Sequence, residues 1–296
     1  MGATQAIPGA SAGTFAFITG IYEELIHSLR SIDRASMQLL LEKDLAGWWK
    51  KINGNFLAVT FAGVLTGLFT LGQLIAYFMK SQPILVLSFF FGLILISGPL
   101  VLRSIKKWDF TAVISFVAGL AVAYALTLVS PVHTPDALWF IIIVGALTFS
   151  AMLLPGISGA FMLIVVGKHP LIQSAVATAN VPVILLFITG GVLSFIGFTR
   201  FLSWVLDRYH SATVALLTGL MLGFLNKVWP WRHTIEFVTN HKGEQVAAFD
   251  KSILPWDYLA ATGKDPQVFQ AILLMAIGVF IVVLIEKIAA RLKTKI

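Results

Sequence analysis

The chain has 296 residues, of which 58% are hydrophobic and 12% charged, and its mean hydropathy is +0.89. A soluble domain of this size does not carry so apolar a composition, so the protein belongs in a lipid bilayer. The absence of cysteine excludes disulfides and thiolate metal sites, and we assign the net charge of +7 to membrane orientation and anionic headgroups, with no role for nucleic acid.

Six apolar runs are long enough to cross the roughly 30 Å of hydrocarbon in a bilayer. We predict that each is a full membrane span, within a single transmembrane domain that covers residues 1–296. The runs lie near residues 53–78, 84–102, 110–130, 181–206, 212–229 and 270–290.

Two further apolar stretches are interrupted by a Pro-Gly pair and small residues. The pairs are Pro8-Gly9 and Pro155-Gly156, and a serine follows each proline by three positions. Proline and glycine end one helical segment and start another, so we predict a re-entrant hairpin at each break. The second hairpin is expected to cover roughly Leu138 to Val176.

The interrupted stretches and the spans after them form an internal repeat. Gly63-Val64-Leu65-Thr66 resembles Gly191-Val192-Leu193-Ser194, and Phe91-Gly92-Leu93 resembles Thr218-Gly219-Leu220. Three spans separate the two hairpins, and an odd number inverts one half relative to the other. We predict an all-α polytopic membrane protein with two inverted-topology repeats, each a re-entrant helical hairpin plus three transmembrane helices. Repeat one covers about 1–130 and repeat two about 137–296.

Lysine and arginine decide the orientation, because cytoplasmic loops carry an excess of them. Most of these residues fall on one side of the membrane if both hairpins are re-entrant. We therefore predict a cytoplasmic C-terminus and an extracytoplasmic loop at about 231–268. The basic residues on the cytoplasmic side are Arg30, Arg34, Lys43, Lys50, Lys51, Arg103, Lys106, Lys107, Arg208, Lys287, Arg291, Lys293 and Lys295.

The helices that start after the two Pro-Gly pairs are candidates for an anion site. Irregular backbone at membrane depth is tolerated where it lines a cavity, and a helix N-terminus presents free N–H groups and partial positive charge. Close packing of kinked helices is the alternative explanation of the small residues. The candidate substrate-binding residues at the helix starts are Ser11, Ala12, Gly13, Thr14, Ser158 and Gly159.

Three charged residues have two interpretations each. Arg200 lies inside the fourth apolar run, where a guanidinium either binds a phosphate or extends to the interface beside Arg208. Glu23 and Glu24 follow the first interrupted helix, where they either couple transport to a proton or cation or serve as ordinary interfacial charges.

An enzyme is weakly suggested by the Gly-x-Ser-x-Gly spacing around Ser11 and the Gly-x-Ser-Gly around Ser158. A serine nucleophile needs a neighbouring base, yet all six histidines fall at span ends or in loops. We therefore predict no catalytic residue, no cofactor and no metal site.

Ile7 to Ile26, together with Leu153 to Gly159, resemble the paired signatures of the PopT family of polyprenyl-phosphate transporters, formerly a bacterial domain of unknown function. At the first signature Ala10 and Ala12 replace the family's usual valine and glycine. The resemblance implies a flippase that returns undecaprenyl phosphate from the outer to the cytoplasmic leaflet of the bacterial inner (plasma) membrane, for reuse in peptidoglycan and related polymers. We expect phosphate to bind at the facing N-termini of the re-entrant helices, with protons or a monovalent cation as candidate coupling partners.

Two other functions stay open at this stage. A small-anion or ion transporter or channel would use the same facing helix ends, and a non-transporting membrane scaffold would need no paired breaks. A lateral opening wide enough for an isoprenoid chain favours the lipid transporter, whereas a closed aqueous pore favours the ion pathway.

Overall fold

The computed structural model describes residues 1–2, 11–105, 107–132, 134–135, 137–239 and 245–293. Helices dominate this part of the chain, as the composition predicts. In chain order the elements are α1 (Ala12–Ile18), α2 (Tyr22–Arg30), α3 (Arg34–Leu41), α4 (Leu45–Lys51), α5 (Gly54–Phe69), α6 (Leu71–Ser81), α7 (Pro83–Leu102), α8 (Phe110–Leu128), α9 (Leu138–Leu153), α10 (Gly159–Val165), α11 (His169–Ala177), α12 (Val181–Arg208), α13 (His210–Gly223), α14 (Leu225–Val228), β1 (Arg232–Thr239), β2 (Gln245–Ser252), α15 (Pro255–Thr262) and α16 (Val268–Lys293).

All six predicted spans are confirmed as helices long and apolar enough to cross a membrane. The first is interrupted at Thr70, which ends α5 and begins α6. The structure therefore belongs to a polytopic, multi-pass α-helical membrane protein. The helical segments are Gly54–Ser81, Pro83–Leu102, Phe110–Leu128, Val181–Arg208, His210–Val228 and Val268–Ile288.

The second interrupted stretch has the geometry of a re-entrant hairpin. Helix α9 is an apolar helix too short to count as a full span, and α10 packs back against it after the Pro155-Gly156 turn. Helices α10 and α11 then meet at a bend of 117°. The predicted limits, Leu138 to Val176, agree with the start of α9 and the end of α11.

The first interrupted stretch is described only from Ser11 onwards. Its Pro8-Gly9 pair lies outside the described residues, whereas α1 and α2 follow as the returning half of the expected hairpin. The polar segment after them, between Ser31 and Lys51, forms the two short helices α3 and α4. Lys43 between them has a left-handed φ of 60°, and the Asp44 carboxylate accepts the Gly47 N–H at 2.9 Å to begin α4.

Two extensive helix pairs join the two halves of the chain, besides the α9–α12 pair within the second half. Helix α7 packs against α16, and α8 packs against α13. Each pair crosses at two facing glycines, Gly92 with Gly278 and Gly119 with Gly219. A Cβ added to any of the four would lie 2.1 to 2.3 Å from the carbonyl oxygen three residues before the facing glycine. These backbones can therefore approach so closely only because both positions lack a side chain.

The loop at 231–268 contains structure that we did not predict. Strands β1 and β2 pair antiparallel, and α15 follows them before the last span begins. Trp231 and Tyr258 join Ile84 and Ala271 in a small buried cluster, so the segment is anchored on α7 and α16. The expected loop segment thus contains a strand pair and a helix, and the β-branched Thr234 and Ile235 favour the strand conformation.

Candidate functional site

The turn between α9 and α10 follows from its Pro-Gly pair. Proline suits the second position of a type II turn, and the third position requires a positive φ. Gly156 has a φ of +91°, and its open side faces Phe224 of α13. Ser158 then caps α10, because its Oγ accepts the Phe161 N–H at 3.1 Å.

The start of α1 is capped by a reciprocal pair of hydroxyls. Ser11 Oγ accepts the Thr14 N–H at 3.1 Å, and Thr14 Oγ1 accepts the Ser11 N–H at 3.3 Å. Both side chains are buried, Thr14 completely. This capping box satisfies two of the N–H groups that a helix start would otherwise leave unpaired inside an apolar bundle.

The structure brings the two interrupted stretches into direct contact. The Gly156 N–H donates to Thr14 Oγ1 at 2.7 Å, and Ser11 Oγ lies 3.3 Å from the Leu154 carbonyl oxygen. These bonds join positions more than 140 residues apart in the chain. The start of α1 at Ser11–Thr14 and the turn that leads to Ser158 and Gly159 therefore lie side by side.

A tyrosine that we had not singled out strengthens the same contact. The hydroxyl of Tyr22 donates to the Leu153 carbonyl oxygen at 2.8 Å, and the Tyr22 side chain is almost fully buried. Gly13 faces the same segment, since a Cβ there would lie 3.0 Å from the Leu153 oxygen. Tyr22 and Gly13 thus hold the first re-entrant helix against the end of α9.

The two helix starts differ in accessibility. At the start of α1, three residues are buried, namely Ser11, Gly13 and Thr14, and Ala12 is partly buried. At the start of α10, Ser158 is partly exposed. Gly159 is buried against Met152 and Thr148 of α9. In this conformation the N-terminus of α10 is thus more accessible than that of α1.

The two predicted coupling carboxylates contact different helix starts, Glu23 that of α13 and Glu24 that of α5. Glu23 Oε1 is 2.8 Å from His210 Nε2, and both side chains are about half exposed. Glu24 Oε1 accepts from Asn53 Nδ2 at 3.0 Å. Glu23 and Glu24 therefore lie at the ends of helices, and neither takes part in the contact between the two interrupted stretches.

A second polar group lies one turn further along α2. Arg30 donates to Asp207 Oδ2 and to Ser203 Oγ, each at 2.9 Å, and His27 Nδ1 is 2.9 Å from the same Ser203 oxygen. These contacts attach the first hairpin to α12. Asp207, near the end of α12, is thus an ion-pair partner of Arg30.

Arg200 is placed on the exposed face of α12, next to Phe201 and in line with Trp204. It makes no hydrogen bond or ion pair with the part of the chain that the structure describes. The opposite face of the helix, with Thr199 and Ser203, is the buried one. The structure does not join Arg200 to Ser11 or Ser158, and its role as a phosphate ligand stays a prediction.

Lys227 is a buried cation that the sequence motifs do not identify. Lys227, in α14, is 9% exposed, and its Nζ lies 5.2 Å from the centre of the Phe161 ring in α10. A lysine at the end of an apolar span is usually an orientation charge, so the sequence offered no local signal for its burial.

Comparisons with known proteins agree with the predicted resemblance. The VCA0040-like family model, described as undecaprenyl phosphate translocase-like, matches residues 1–246. A protein of Vibrio cholerae serotype O1 named polyprenyl-phosphate transporter is 39% identical over 291 residues, covering 98% of this chain and 94% of that protein. A protein of Staphylococcus aureus with the same name is 30% identical over 248 residues, covering 78% of this chain and 83% of that protein. No solved structure matches the chain. The chain belongs to the undecaprenyl phosphate translocase-like family.

Proposed function

We propose that this chain is a flippase that returns undecaprenyl phosphate, or a related polyprenyl phosphate, from the outer to the cytoplasmic leaflet of the bacterial inner membrane. Relatives at 39% and 30% identity are named polyprenyl-phosphate transporters. The observation that carries the proposal is the hydrogen bond from the Gly156 N–H to Thr14 Oγ1. Two interrupted helices that meet inside an apolar bundle provide polar surroundings for a headgroup that hydrocarbon would exclude.

The phosphate is proposed to bind between the two helix starts. In the conformation described here it reaches the start of α10 at Ser158, which is partly exposed, next to the buried Gly159. Ser11, Ala12, Gly13 and Thr14 form the facing side, which the phosphate reaches once the Thr14–Gly156 contact opens. Breaking one short set of hydrogen bonds would then expose the same site to the opposite leaflet.

The inverted repeat is part of the proposal and is supported by the helix pairs. Gly92 corresponds to Gly219 by sequence, and exchanging the two halves converts the α7–α16 pair into the α13–α8 pair. The glycine contacts within the two pairs follow one pattern of carbonyl positions. In alternating access, one repeat rocks against the other and exposes the site first to one side of the membrane and then to the other. This motion requires related helix packing on the two sides of the site.

A lipid substrate is favoured over a small anion by an open cavity of about 600 Å³ among α7, α8 and α13. Its wall is apolar, with Phe91, Leu120 and Leu222, and its rim is polar, with Asn226 and Ser252. An isoprenoid tail suits the wall and a headgroup suits the rim. A small-anion transporter or channel, the alternative function, has no use for such a lateral apolar surface.

Charge coupling is proposed for the carboxylates of α2. Moving one negative charge inwards against an inside-negative potential costs about 2.3 kcal/mol per 100 mV. A proton or monovalent cation that moves with the phosphate would offset this cost. Glu23 is the better candidate, because its Oε1 lies 2.8 Å from His210 Nε2, and an imidazole beside a carboxylate can act as a proton shuttle. Glu24 is the second candidate. On this topology the α2 end of the bundle and the C-terminus are cytoplasmic.

The test is a flipping assay in sealed vesicles that contain the purified full-length protein and labelled undecaprenyl phosphate. We expect inward movement that depends on the protein, and that a proton gradient accelerates in the wild type and not in Glu23→Gln. The same vesicles, loaded with inorganic phosphate, test the alternative function of a small-anion transporter or channel by the rate at which phosphate leaves them. Rapid passage of inorganic phosphate with no flipping of the lipid would overturn the proposal in favour of a small-anion pathway.

A further inference from the structure

A cavity of about 750 Å³ lies where α4 meets the start of the first span, and it opens to the surface. Its described lining combines apolar side chains with one cation and two amides, and it contains no carboxylate. On the predicted topology the cavity faces the cytoplasmic leaflet, at the level where tryptophan and lysine meet lipid headgroups. Its main side chains are Leu45, Trp48, Trp49, Lys50, Asn53 and Asn55.

The hydrogen-bond donors of this cavity exceed its acceptors. The exposed Lys50 ammonium makes no ion pair or hydrogen bond with the part of the chain that the structure describes. Asn55 Oδ1 accepts the Trp49 indole N–H at 2.8 Å, and the Asn55 NH2 group has no acceptor among the same residues. The buried indole N–H of Trp48 also lacks one there. The cavity therefore suits a ligand that brings acceptor oxygens and a negative charge.

The charges around the cavity favour a ligand with a single negative charge. Lys51 pairs with Asp33 Oδ1 at 3.0 Å, so Lys50 is the cation that the lining supplies. Glu24 accepts from Asn53 Nδ2 at 3.0 Å and places a carboxylate beside the same turn. A phosphodiester carries one negative charge, whereas a phosphate monoester carries about 1.5 to 2 at pH 7. One lysine next to a carboxylate therefore matches the phosphodiester better.

An exposed apolar helix face continues from the cavity into the membrane. Asn55, Val59 and Ala62 follow one another at spacings of four and three residues, so they share one face of α5. All three are exposed, Val59 by 74%. The main contacts of α5 are with its chain neighbours α4 and α6. A polar cavity at the headgroup level is thus joined to an apolar surface at the level of the acyl chains.

We propose that this cavity binds the headgroup of an anionic phospholipid from the cytoplasmic leaflet. Its phosphate lies at Lys50 and Asn55, and an acyl chain lies along the exposed face of α5. Asn53 bonds Glu24 and Ser28 of α2 from the same turn, so a bound lipid also stabilises the α4–α5 turn against the first hairpin. The site is separate from the transport site proposed above and does not depend on that function.

Native mass spectrometry of the full-length protein in detergent tests the site. Short-chain phosphatidylglycerol is the ligand, and phosphatidylcholine of the same chain length is the reference. Lys50→Gln is expected to weaken binding of phosphatidylglycerol about fivefold and to leave phosphatidylcholine unchanged, because one lysine near an anionic headgroup contributes about that factor.

Lys43→Gln is the matched control, because Lys43 is an exposed lysine between α3 and α4 that does not line the cavity. We expect it to bind phosphatidylglycerol as the wild type does. Unchanged binding by Lys50→Gln, or an equal loss in both variants, would overturn the proposal.

A second measurement uses the unaltered protein and does not depend on whether a variant folds. An amine-reactive reagent modifies exposed lysines, and mass spectrometry of the peptides reports the rate at each one. Phosphatidylglycerol in mixed micelles should slow the modification of Lys50 by more than that of Lys43, and phosphatidylcholine should slow neither. Equal slowing at both lysines would show only a general attraction of basic residues to anionic micelles, which contradicts a defined site.

Two further ligands distinguish the sources of the phosphate. Glycerol phosphate has the headgroup without the acyl chains, and we expect it to leave Lys50 unprotected; protection equal to that by the lipid would overturn the lipid assignment. A short-chain polyprenyl phosphate that displaces phosphatidylglycerol from Lys50 at a lower concentration would replace the phospholipid with a transport substrate and overturn the proposal. Failure of the wild type to flip polyprenyl phosphate would instead contradict the transporter and leave this lipid site unaffected.

Discussion

Ser11 and Ser158 occupy corresponding positions in two similar motifs, three residues after a Pro-Gly proline, yet their surroundings differ. Ser11 is buried with Thr14, and their hydroxyls bond each other and the backbone of the second hairpin. Ser158 is partly exposed and caps its own helix through Phe161. Two similar motifs thus have different roles: the start of α1 joins the two interrupted stretches, and the start of α10 stays accessible.

The largest effect should come from filling the space between the hairpins. In Gly13→Val the added side chain would meet the Leu153 carbonyl oxygen, 3.0 Å from the position of the Cβ. We expect transport to be abolished and stability to fall by about 1–3 kcal/mol, because backbone atoms cannot move aside as a flexible side chain can. Flipping in vesicles and thermal unfolding in detergent measure the two effects.

Gly63→Val is the control for that variant, since a Cβ at Gly63 would meet nothing within 4 Å. Transport at the wild-type rate by Gly13→Val would show that the two hairpins do not need to touch.

Thr14→Val tests the fastening role of the first helix start. The substitution keeps the shape but removes the acceptor for the Gly156 and Ser11 N–H groups. A buried N–H without a partner costs about 1–3 kcal/mol, so we expect a loss of that order in the free energy of unfolding and faster hydrogen exchange at Gly156. Thr70→Val, which removes an exposed hydroxyl, should change neither quantity, and an equal loss in both variants would contradict the proposed role.

Ser158→Ala should separate binding from stability at the second helix start. Loss of its cap to Phe161 should lower stability by about 1 kcal/mol. Loss of a hydroxyl that bonds a charged phosphate should lower substrate affinity by about tenfold. Titration with a polyprenyl phosphate analogue measures the affinity, with Ser104→Ala as the exposed control. Unchanged affinity would remove Ser158 from the proposed site.

Arg200→Gln is expected to have the smallest effect. Arg200 lies on a face of α12 that the other described helices leave uncovered and contacts neither helix start, so affinity should fall by less than about threefold. Arg208→Gln provides the comparison at the end of the same helix. A tenfold or greater loss confined to Arg200→Gln would establish Arg200 as a phosphate ligand, and a lower membrane yield at unchanged affinity would identify an interfacial anchor.

The parts of the fold that depend on local composition were predictable. A run such as 84–102 is apolar for its whole length, and hydrocarbon thickness alone then requires a spanning helix. The strands of the 231–268 loop were not predicted, although Thr234 and Ile235 favour them, because strand pairing depends on contacts between segments that no local pattern encodes.

The candidate site was predictable in its motifs and not in its contacts. Proline, glycine and serine at fixed spacing identified both helix starts, because each residue has a local conformational role. The bond between Thr14 and Gly156 joins residues 142 positions apart, and no local pattern encodes it. The contact of Lys227 with Phe161 likewise joins two helices that are far apart in the chain, and no local pattern encodes it.

The crossing of α7 with α16 and of α8 with α13 has a consequence for how the chain is made. Helices α7 and α8 leave the ribosome well before their partners, so the first half enters the bilayer with Gly92 and Gly119 still uncovered. Membrane proteins of this size usually assemble as synthesis proceeds, but here the first half cannot complete its packing alone. The last helix to be synthesised closes the structure, so a ribosome that stops before α16 leaves an open half-bundle that quality-control proteases can recognise.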